Sequence, residues 1–296
     1  MVKFSIITAT YNRGDLLKDI YKALIEQTLQ DFEWIIIDDG SSDGTKEIVS
    51  RWEKRISIKY IWQTNQGKHV AINNGIKKAE GRFVIILDAD DIPEKYALQR
   101  FKSYLEERIF ENDNCAGVVV LCSDASGKLI GTKFLQDKTC GNLLDLYYRQ
   151  NVKGDKWMCW RKNVIEDFPF PVIEGEKFMP EAIVWNRISL KYKIFCVNDS
   201  LLRIRYQAGG LSSSSKKIRI KNPKGASLYY KEFVNLMSVS FGWKLRNIIN
   251  YSRFSFHAKN SLSEQINGIN SAIMKIILVL TLPLGFCFYL RDKSTV

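Results

Sequence analysis

Apolar and polar residues alternate along the first hundred positions in a way that is typical of strands separated by helices. Short apolar runs at residues 4–8, 34–37, 58–63 and 83–87 predict four strands. Apolar residues at helical spacing in 15–28 predict a helix between the first two strands. Such a repeat predicts an α/β fold with a mostly parallel, Rossmann-like sheet flanked by helices.

The pattern is less regular in the middle of the chain. We expect strands at 118–122 and 129–134, a helix that follows Pro180, and two late strands at 194–197 and 201–206.

A Gly- and Ser-rich stretch at 209–215 predicts a flexible loop. We place domain boundaries on either side of the less regular region. The chain then consists of residues 1–100, residues 101–215 and a helical tail of residues 216–296.

Polar side chains follow three of the predicted strands at the point where each strand ends. They are Thr10-Tyr11-Asn12, Asp38-Asp39 and Asp88-Ala89-Asp90-Asp91. In sheets of this kind, ligands bind beyond the carboxyl ends of the strands. We therefore expect these clusters to meet in one binding site.

Asp88 and Asp90 are the candidate metal ligands. Mg²⁺ and Mn²⁺ both accept sparse carboxylate ligation that leaves room for phosphate and water. A cation held there can neutralise a departing diphosphate, as a nucleotide sugar requires. The alternative is that Asp90 or Asp91 only caps the next helix.

Asp39 and Tyr11 are candidates for binding a nucleobase. A carboxylate at position 39 can accept the N3–H of uracil, and the ring of Tyr11 can stack on a base. The alternative for Asp39 is a turn residue whose side chain bonds backbone amides.

Glu181 is the candidate general base, because a positioned carboxylate can take the proton of an acceptor hydroxyl. It follows Pro180, which suits the start of a helix. The alternative is that Glu181 only interacts favourably with the helix dipole.

Positive charge is concentrated in one stretch of the chain. The formal net charge is +12, and residues 203–259 contain twelve Lys and Arg against a single acidic residue, Glu232. A stretch of this kind favours a polyanion, either nucleic acid or an anionic membrane surface. Aromatic residues in the tail would suit base stacking.

The segment that follows favours the membrane. Residues 276–290 are uncharged and mostly apolar, with Lys275 before them and Arg291 after them. We expect 272–290 to associate with an anionic membrane, by spanning it or lying in its interface. The alternative is a buried C-terminal helix. Nucleic acid is not an expected partner.

The compartment is predicted to be the cytoplasmic face of the cell membrane, with the protein peripheral or monotopic. The chain opens on a strand-like run with no secretory signal before it. Its six cysteines form no CxxC pair, which is typical of reduced thiols.

The order and spacing of motifs in the first hundred residues resemble bacterial family 2 glycosyltransferases, which have the GT-A fold. The motifs are Thr10-Tyr11-Asn12, Gln27-Thr28, Phe32-Glu33, 37–45 (IDDGSSDGT), Asn65-Gln66-Gly67, 71–75 (AINNG), Gly81-Arg82-Phe83 and 87–91 (LDADD). Pro180-Glu181 with Arg187 resembles a later family motif, so residues 1 to about 210 are covered.

The resemblance implies an inverting, metal-dependent enzyme that uses a nucleotide sugar, with UDP favoured. Residues 1–100 would bind the donor and 101–215 the acceptor. The implied donor residues are Thr10, Tyr11, Asn12, Asp39, Lys68, Asp88, Ala89 and Asp90. Asp90 and Asp88 would hold Mn²⁺ or Mg²⁺, and Glu181 would be the catalytic base.

Several family features are missing. Ala9 replaces the usual proline, and Pro180 replaces one member of an acidic pair. The late histidine that some relatives use as a third metal ligand is absent from 206–215, as is the motif of processive synthases. We therefore expect one sugar to be added per encounter. The expected acceptor is a lipid-linked glycan of bacterial surface polysaccharide biosynthesis, because the tail would hold the enzyme beside such an acceptor.

Four further residues are candidates for contacting donor or acceptor sugars: Asp91, Asp155, Glu176 and Arg187. Asp155 and Glu176 can equally be turn residues.

Two other functions fit parts of the sequence. One is a nucleotidyltransferase that makes activated sugars, although Thr10-Tyr11-Asn12-Arg13-Gly14 is not the Gly-rich loop that such enzymes use for a triphosphate. The other is a non-catalytic adaptor at the membrane surface, which predicts no metal dependence.

Overall fold

The strands of the protein form a single mixed sheet in the part of the chain that the structure describes. This computed structural model describes residues 4–52, 55–108, 114–207 and 215–294. Eight of the nine described strands follow the order β3-β2-β1-β4-β8-β6-β9-β5, and the ninth, β7, pairs with β9. Helices flank the sheet, so the predicted α/β fold is confirmed.

The first four strands make the parallel part of the sheet. They are β1 (Phe4–Thr10), β2 (Phe32–Asp38), β3 (Ser57–Trp62) and β4 (Phe83–Ile86). Helices α1 (Gly14–Ile25), α2 (Thr45–Ser50) and α3 (Lys68–Lys78) connect them. β2 is buried along its whole length, and β1 almost so, because helices cover both faces of a parallel sheet.

The second half of the sheet is mixed. Its strands are β5 (Ile92–Pro93), β6 (Cys115–Ser123), β7 (Thr139–Gly141), β8 (Lys156–Arg161) and β9 (Lys193–Arg203). β8 lies antiparallel between β4 and β6, whereas β6 and β9 are parallel. Helices α4 (Ala97–Arg108), α5 (Leu143–Tyr148), α6 (Lys162–Asp167) and α7 (Ala182–Ser189) accompany these strands.

One strand prediction is wrong, and two predicted strands are joined into one. Residues 129–134 form no strand and make only an isolated bridge from Leu129 to Ser123. Gly131 has a positive φ, and a side chain there would clash with the backbone of Lys153, so the segment cannot continue a ladder. The two late strands are one continuous strand, β9, whose pairing with β6 shifts register part-way along.

The chain forms two compact units. The first consists of Met1–Pro169 and Arg187–Gln207, and the second of Phe170–Asn186 and Ala208–Val296. The core of the first unit lies between the sheet and its helices, around Trp34. Residues 208–214, where the flexible loop is predicted, lie outside the described residues.

The predicted tail is helical. Its helices are α8 (Ser215–Lys221), α9 (Pro223–Asn235), α10 (Phe241–His257), α11 (Leu262–Asn267) and α12 (Ala272–Lys293). Buried residues of α9, α10 and α12 share a separate core that includes Tyr230, Tyr251 and Leu278. By length and composition, α12 is the one helix in the described chain that could cross a membrane.

Candidate functional site

Backbone pairing brings three polar clusters to the same edge of the parallel sheet. The amide of Asp39 donates to the carbonyl of Thr10 at 2.8 Å. The amide of Leu87 donates to the carbonyl of Ile7 at 2.9 Å, so the 88–91 turn begins beside β1. The expected convergence at the carboxyl ends of the strands is therefore present in the structure.

Asp88, Asp90 and Asp91 form an acidic cluster. One carboxylate oxygen from each lies within 4.8 Å of the others. The amide of Asp91 donates to the carbonyl of Asp88 at 3.2 Å, which closes the turn that gathers them. Three hard oxygen donors at this spacing suit Mg²⁺ or Mn²⁺, so the residues present fit the ion that the sequence predicts. Ala89, inside the turn, is buried.

Basic side chains contact this cluster directly. Arg13 Nη1 lies 2.6 Å from Asp90 Oδ2, and Lys68 Nζ lies 2.7 Å from Asp88 Oδ1. Arg205 Nε donates to the carbonyl of Asp90 at 2.9 Å. These cations offset the repulsion among the carboxylates and give the site groups that can bind a diphosphate.

Arg13 and Arg205 are functional candidates that the sequence reasoning did not find. Arg13 directly follows Thr10-Tyr11-Asn12, so its place beside the site could have been expected. Arg205 comes after β9, far along the chain, and no local pattern connects it with residue 90. Its guanidinium also donates to Asp19 Oδ2 at 2.8 Å, so the side chain contacts both α1 and the turn at Asp90.

Asp91 is the most buried member of the cluster, with 8% of its surface exposed. Burial, together with the neighbouring charges of Asp88 and Asp90, raises the pKa of its carboxyl to about 8. The amide of Arg205 donates to Asp91 Oδ1 at 3.3 Å. Near neutral pH, Asp91 therefore tends to hold a proton unless a cation displaces it.

The carboxylate of Asp39 is 4% exposed and holds the segment that leads into α3. Its Oδ1 accepts from Gln63 Nε2 at 2.7 Å and from the amide of Gln66 at 2.9 Å. Its Oδ2 accepts from the amide of Gly67 at 2.7 Å. A carboxylate has about four lone-pair positions, so one remains on Oδ2 for a ligand.

Thr10 ends β1 and Tyr11 and Asn12 follow it, and the three side chains differ in their exposure and contacts. Asn12 has a positive φ, and its Oδ1 accepts from the amide of Ser42 at 2.8 Å, so it joins the loops that follow β1 and β2. The ring of Tyr11 is half exposed and is free to stack on a ligand. Thr10 Oγ1 is buried without a hydrogen-bond partner among the described residues.

Two further candidates belong to the first unit. Asp155 is exposed at the start of the chain segment that enters β8, and its Oδ2 accepts from the hydroxyl of Tyr206 at 2.8 Å. Arg187 is half-buried on α7.

Glu181 and Glu176 belong to the second unit. Glu181 directly precedes α7, and its carbonyl accepts from the amide of Val184 at 3.0 Å, as the predicted helix start requires. The carboxylate of Glu176 accepts from the amides of Lys224 and Gly225, both at 2.7 Å. Glu176 therefore stabilises the first turn of α9.

Comparison with known proteins identifies the family. The family model described as glycosyl transferase family 2 matches residues 5–155, about half of the chain. The teichuronic acid biosynthesis glycosyltransferase TuaG of Bacillus subtilis is 37% identical over 107 residues, which are 35% of this chain and 42% of TuaG. This chain therefore aligns with less than half of that relative's length.

Two other relatives differ in how much of the chain they match. An uncharacterized glycosyltransferase of Nostoc is 25% identical over 293 residues, covering 92% of this chain and 88% of the relative. The GalNAc(5)-diNAcBac-PP-undecaprenol beta-1,3-glucosyltransferase of Campylobacter jejuni is 43% identical over 94 residues, covering 31% of this chain and 30% of that enzyme.

Solved structures show the same fold. Residues 1–349 of S. aureus TarS match with a TM-score of 0.66 at 19% identity, covering 97% of this chain and 89% of that one. The same TarS fragment with UDP-GlcNAc matches with a TM-score of 0.62 at 21% identity, covering 90% and 79%. The mannosyltransferase PcManGT of Pyrobaculum calidifontis, in complex with GDP-Man and Mn²⁺, matches with a TM-score of 0.58 at 17% identity, covering 99% and 83%. With its mixed α/β sheet and the match over residues 5–155, this chain belongs to glycosyl transferase family 2 and has the GT-A fold.

Proposed function

We propose that this glycosyltransferase moves a single sugar from a UDP-sugar to a glycan acceptor, with inversion at the anomeric carbon of the transferred sugar. The observation that carries the proposal is the acidic cluster of Asp88, Asp90 and Asp91, contacted by Arg13 and by other basic side chains at the carboxyl edge of the parallel sheet. An arrangement of hard oxygen ligands beside cationic side chains suits a divalent cation together with a diphosphate.

Asp88 and Asp90 are the residues that would hold Mn²⁺ or Mg²⁺. When bound, the cation would act as a Lewis acid that offsets the charge developing on the leaving diphosphate. Lys68 and Arg13 contact these carboxylates in the structure. Once the carboxylates bind the cation instead, both basic side chains could bind diphosphate oxygens.

The donor end of the site is assigned to Tyr11 and Asp39. The half-exposed ring of Tyr11 offers a surface on which a base can stack, and the remaining lone pair of Asp39 can accept the uracil N3–H. The UDP-GlcNAc complex of TarS is consistent with UDP, whereas PcManGT was solved with GDP-Man. UDP is favoured by the resemblance to family 2 glycosyltransferases and by the UDP-GlcNAc complex of TarS.

Glu181 is assigned as the catalytic base that takes the proton of the acceptor hydroxyl. Glu181 directly precedes α7, at the helix start that the sequence predicts. A carboxylate side chain can accept a proton when the hydroxyl attacks. Asp155 and Arg187 are assigned to sugar contacts, and Glu176 keeps the helix-stabilising role described above.

The acceptor is proposed to be a lipid-linked glycan of a bacterial surface polysaccharide, at the cytoplasmic face of the cell membrane. The names of two relatives refer to teichuronic acid and to an undecaprenol-linked glycan. In this chain, the basic stretch 203–259 and the exposed apolar helix α12 favour an anionic membrane surface. The protein would be peripheral or monotopic.

A donor-hydrolysis screen tests the proposal. UDP-, GDP- and dTDP-sugars are incubated with the full chain and Mn²⁺, and nucleotide release is measured with and without EDTA. We expect release from a UDP-sugar that EDTA abolishes. In the same assay, Asp31→Asn is the matched control for Asp90→Ala. Asp31 is an exposed carboxylate at the amino end of β2, opposite the candidate site.

Two outcomes would overturn the assignment. Absence of hydrolysis and of donor binding with every nucleotide sugar would remove the donor-binding role. Release of pyrophosphate from a nucleoside triphosphate and a sugar phosphate would identify a nucleotidyltransferase instead.

A further inference from the structure

Helix α12 exposes most of its apolar surface. Only one stripe faces the protein, and its buried residues are Met274, Leu278, Gly285 and Asp292. These positions are spaced four and seven apart, which places them on one side of a helix. The remaining surface carries large apolar side chains, including Ile273 at 68% exposure and Leu280 at 72%. Contiguous apolar surface of this kind marks an interaction site.

The buried stripe fixes α12 along α10. A side chain at Gly285 would clash with the side chain of Ser252, so the two helices approach closely at that point. Further along, the ring of Phe286 lies 5.2 Å from that of Phe256. At the other end, Leu278 shares the second core with residues of α10.

An ionic cluster fixes the C-terminal end of the same helix. Asp292 is 1% exposed, and its carboxylate accepts from Nε and Nη2 of Arg253, both at 2.6 Å. His257 Nε2 lies 3.1 Å and Lys216 Nζ 3.0 Å from the same carboxylate. Separating α12 from α10 would leave these charges without partners, so the ionic cluster disfavours separation of the two helices.

This packing decides how α12 can meet a bilayer. α10 carries Arg246, Asn247, Asn250 and Arg253 along its length. If α12 crossed the hydrocarbon while packed on α10, these polar groups would enter it too, which is strongly unfavourable. A helix that lies along the interface exposes its free apolar face to the acyl chains and leaves α10 in water.

We propose that α12 is an in-plane anchor that enters one leaflet of an anionic bilayer and does not cross it, with both of its ends on the same side. Charge complementarity selects anionic lipid as the occupant of the free face. Lys275 lies in the first turn of the helix, Arg291 and Lys293 lie in the last turn, and the basic stretch 203–259 precedes it. The inference rests on the membrane association proposed above and not on sugar transfer.

Thiol accessibility tests the topology. The background is Cys140→Ser with Cys287→Ser, because these two cysteines are exposed and the other four are buried. Ser294→Cys reports the end of α12, and Ser263→Cys, on an exposed position of α11, is the matched control. The full chain is bound to sealed phosphatidylcholine vesicles containing phosphatidylglycerol, and an impermeant maleimide is added outside.

We expect both positions to react to completion without detergent. Protection of position 294 until detergent is added, with position 263 fully reactive, would show a spanning helix and overturn the proposal. The assay uses neither donor nor acceptor, so its failure would leave the proposed glycosyl transfer untouched.

Vesicle binding tests the occupant of the free face. Leu280→Asp with Leu284→Asp is expected to lower the vesicle-bound fraction at least tenfold at moderate salt, since both leucines are exposed on α12. Leu135→Asp, at an equally exposed leucine in the first unit, should bind like the unmodified chain. Binding that persists in the double variant, or a wild-type dimer that the double variant converts to a monomer, would assign the face to another partner and overturn the proposal.

Discussion

The guanidinium of Arg13 lies 2.6 Å from Oδ2 of Asp90, the carboxylate assigned to the metal. A cation that binds Asp90 must therefore compete with Arg13 for the same oxygen. The ion pair links the loop after β1 with the turn after β4. We therefore expect cation binding at the acidic cluster and the position of that loop to depend on each other.

Replacing Arg13 should tighten metal binding in the absence of donor. Arg13→Gln removes the competing charge, and because partly exposed ion pairs contribute up to about 1 kcal/mol, we expect Mn²⁺ to bind about twofold to fivefold more tightly. Titration of Mn²⁺ followed by electron paramagnetic resonance measures this. Lys18→Gln, which removes an exposed partner of Asp15, is the control. Weaker Mn²⁺ binding in Arg13→Gln would contradict the competition.

Asp90 and Glu181 should affect different steps. Asp90→Ala should lower both donor hydrolysis and transfer on the order of a hundredfold or more, because a cation at the leaving group supplies several kcal/mol. Glu181→Gln should leave UDP-sugar binding unchanged and lower transfer by roughly 10²–10⁴-fold.

Calorimetric donor binding and single-turnover transfer separate these effects. Glu174→Gln, at an exposed carboxylate that precedes Glu176 in the chain, is the control for Glu181. Full transfer by Glu181→Gln would place the base elsewhere.

Asp39 should affect both stability and donor binding. Its carboxylate accepts three hydrogen bonds from residues 63–67, and an amide at this position could accept fewer of them. We expect Asp39→Asn to cost about 1–3 kcal/mol of unfolding free energy and to weaken UDP binding. Urea unfolding and UDP titration measure the two effects. Loss of UDP binding with unchanged stability would show that Asp39 acts only on the base.

Glu33 should make stability depend on pH. Burial alone would raise the pKa of its carboxyl, but hydrogen bonds from Lys59, Ser5 and the amide of Glu80 lower that pKa below its usual value. A carboxyl with a lowered pKa stabilises the fold at pH values above the unfolded-state pKa, and that contribution is lost as the pH falls through the folded-state value.

The matching variant is Glu33→Gln. We expect it to unfold more easily than the unmodified chain at pH 7, by about 1–3 kcal/mol, and the difference to shrink below pH of about 4.5. Urea unfolding at several pH values measures this. A difference that stays constant down to pH of about 3 would show that the charge of Glu33 does not stabilise the fold.

The parallel half of the fold was predictable because each of its strands has a local sequence pattern that is typical of a strand. Apolar runs of four to seven residues followed by polar clusters mark β1, β2 and β4, and the parallel order then brings Asp39 and Asp88 to one edge. The start of α7 was likewise predictable from Pro180.

The mixed half was not predictable in the same way. β8 pairs with both β4 and β6, although it lies about seventy residues after β4 in the chain. The residue pattern of β8 does not indicate which strands it pairs with. The contact of Arg205 with Asp90 and the contact of Glu176 with the first turn of α9 are also products of long-range packing. Residue patterns specify local elements, and distant pairing depends on the packing of the complete chain.

The bonds of Asp39 to Gln66 and Gly67 have a consequence for selectivity. Lys68 is the next residue, it begins α3, and it reaches Asp88. The position assigned to the nucleoside and the position assigned to its phosphates are thus joined by consecutive residues of one short backbone segment. A compound carrying only a sugar and a phosphate would engage one end of that segment and leave the other untouched, so under this assignment we expect unactivated sugars to bind more weakly than the nucleotide sugar.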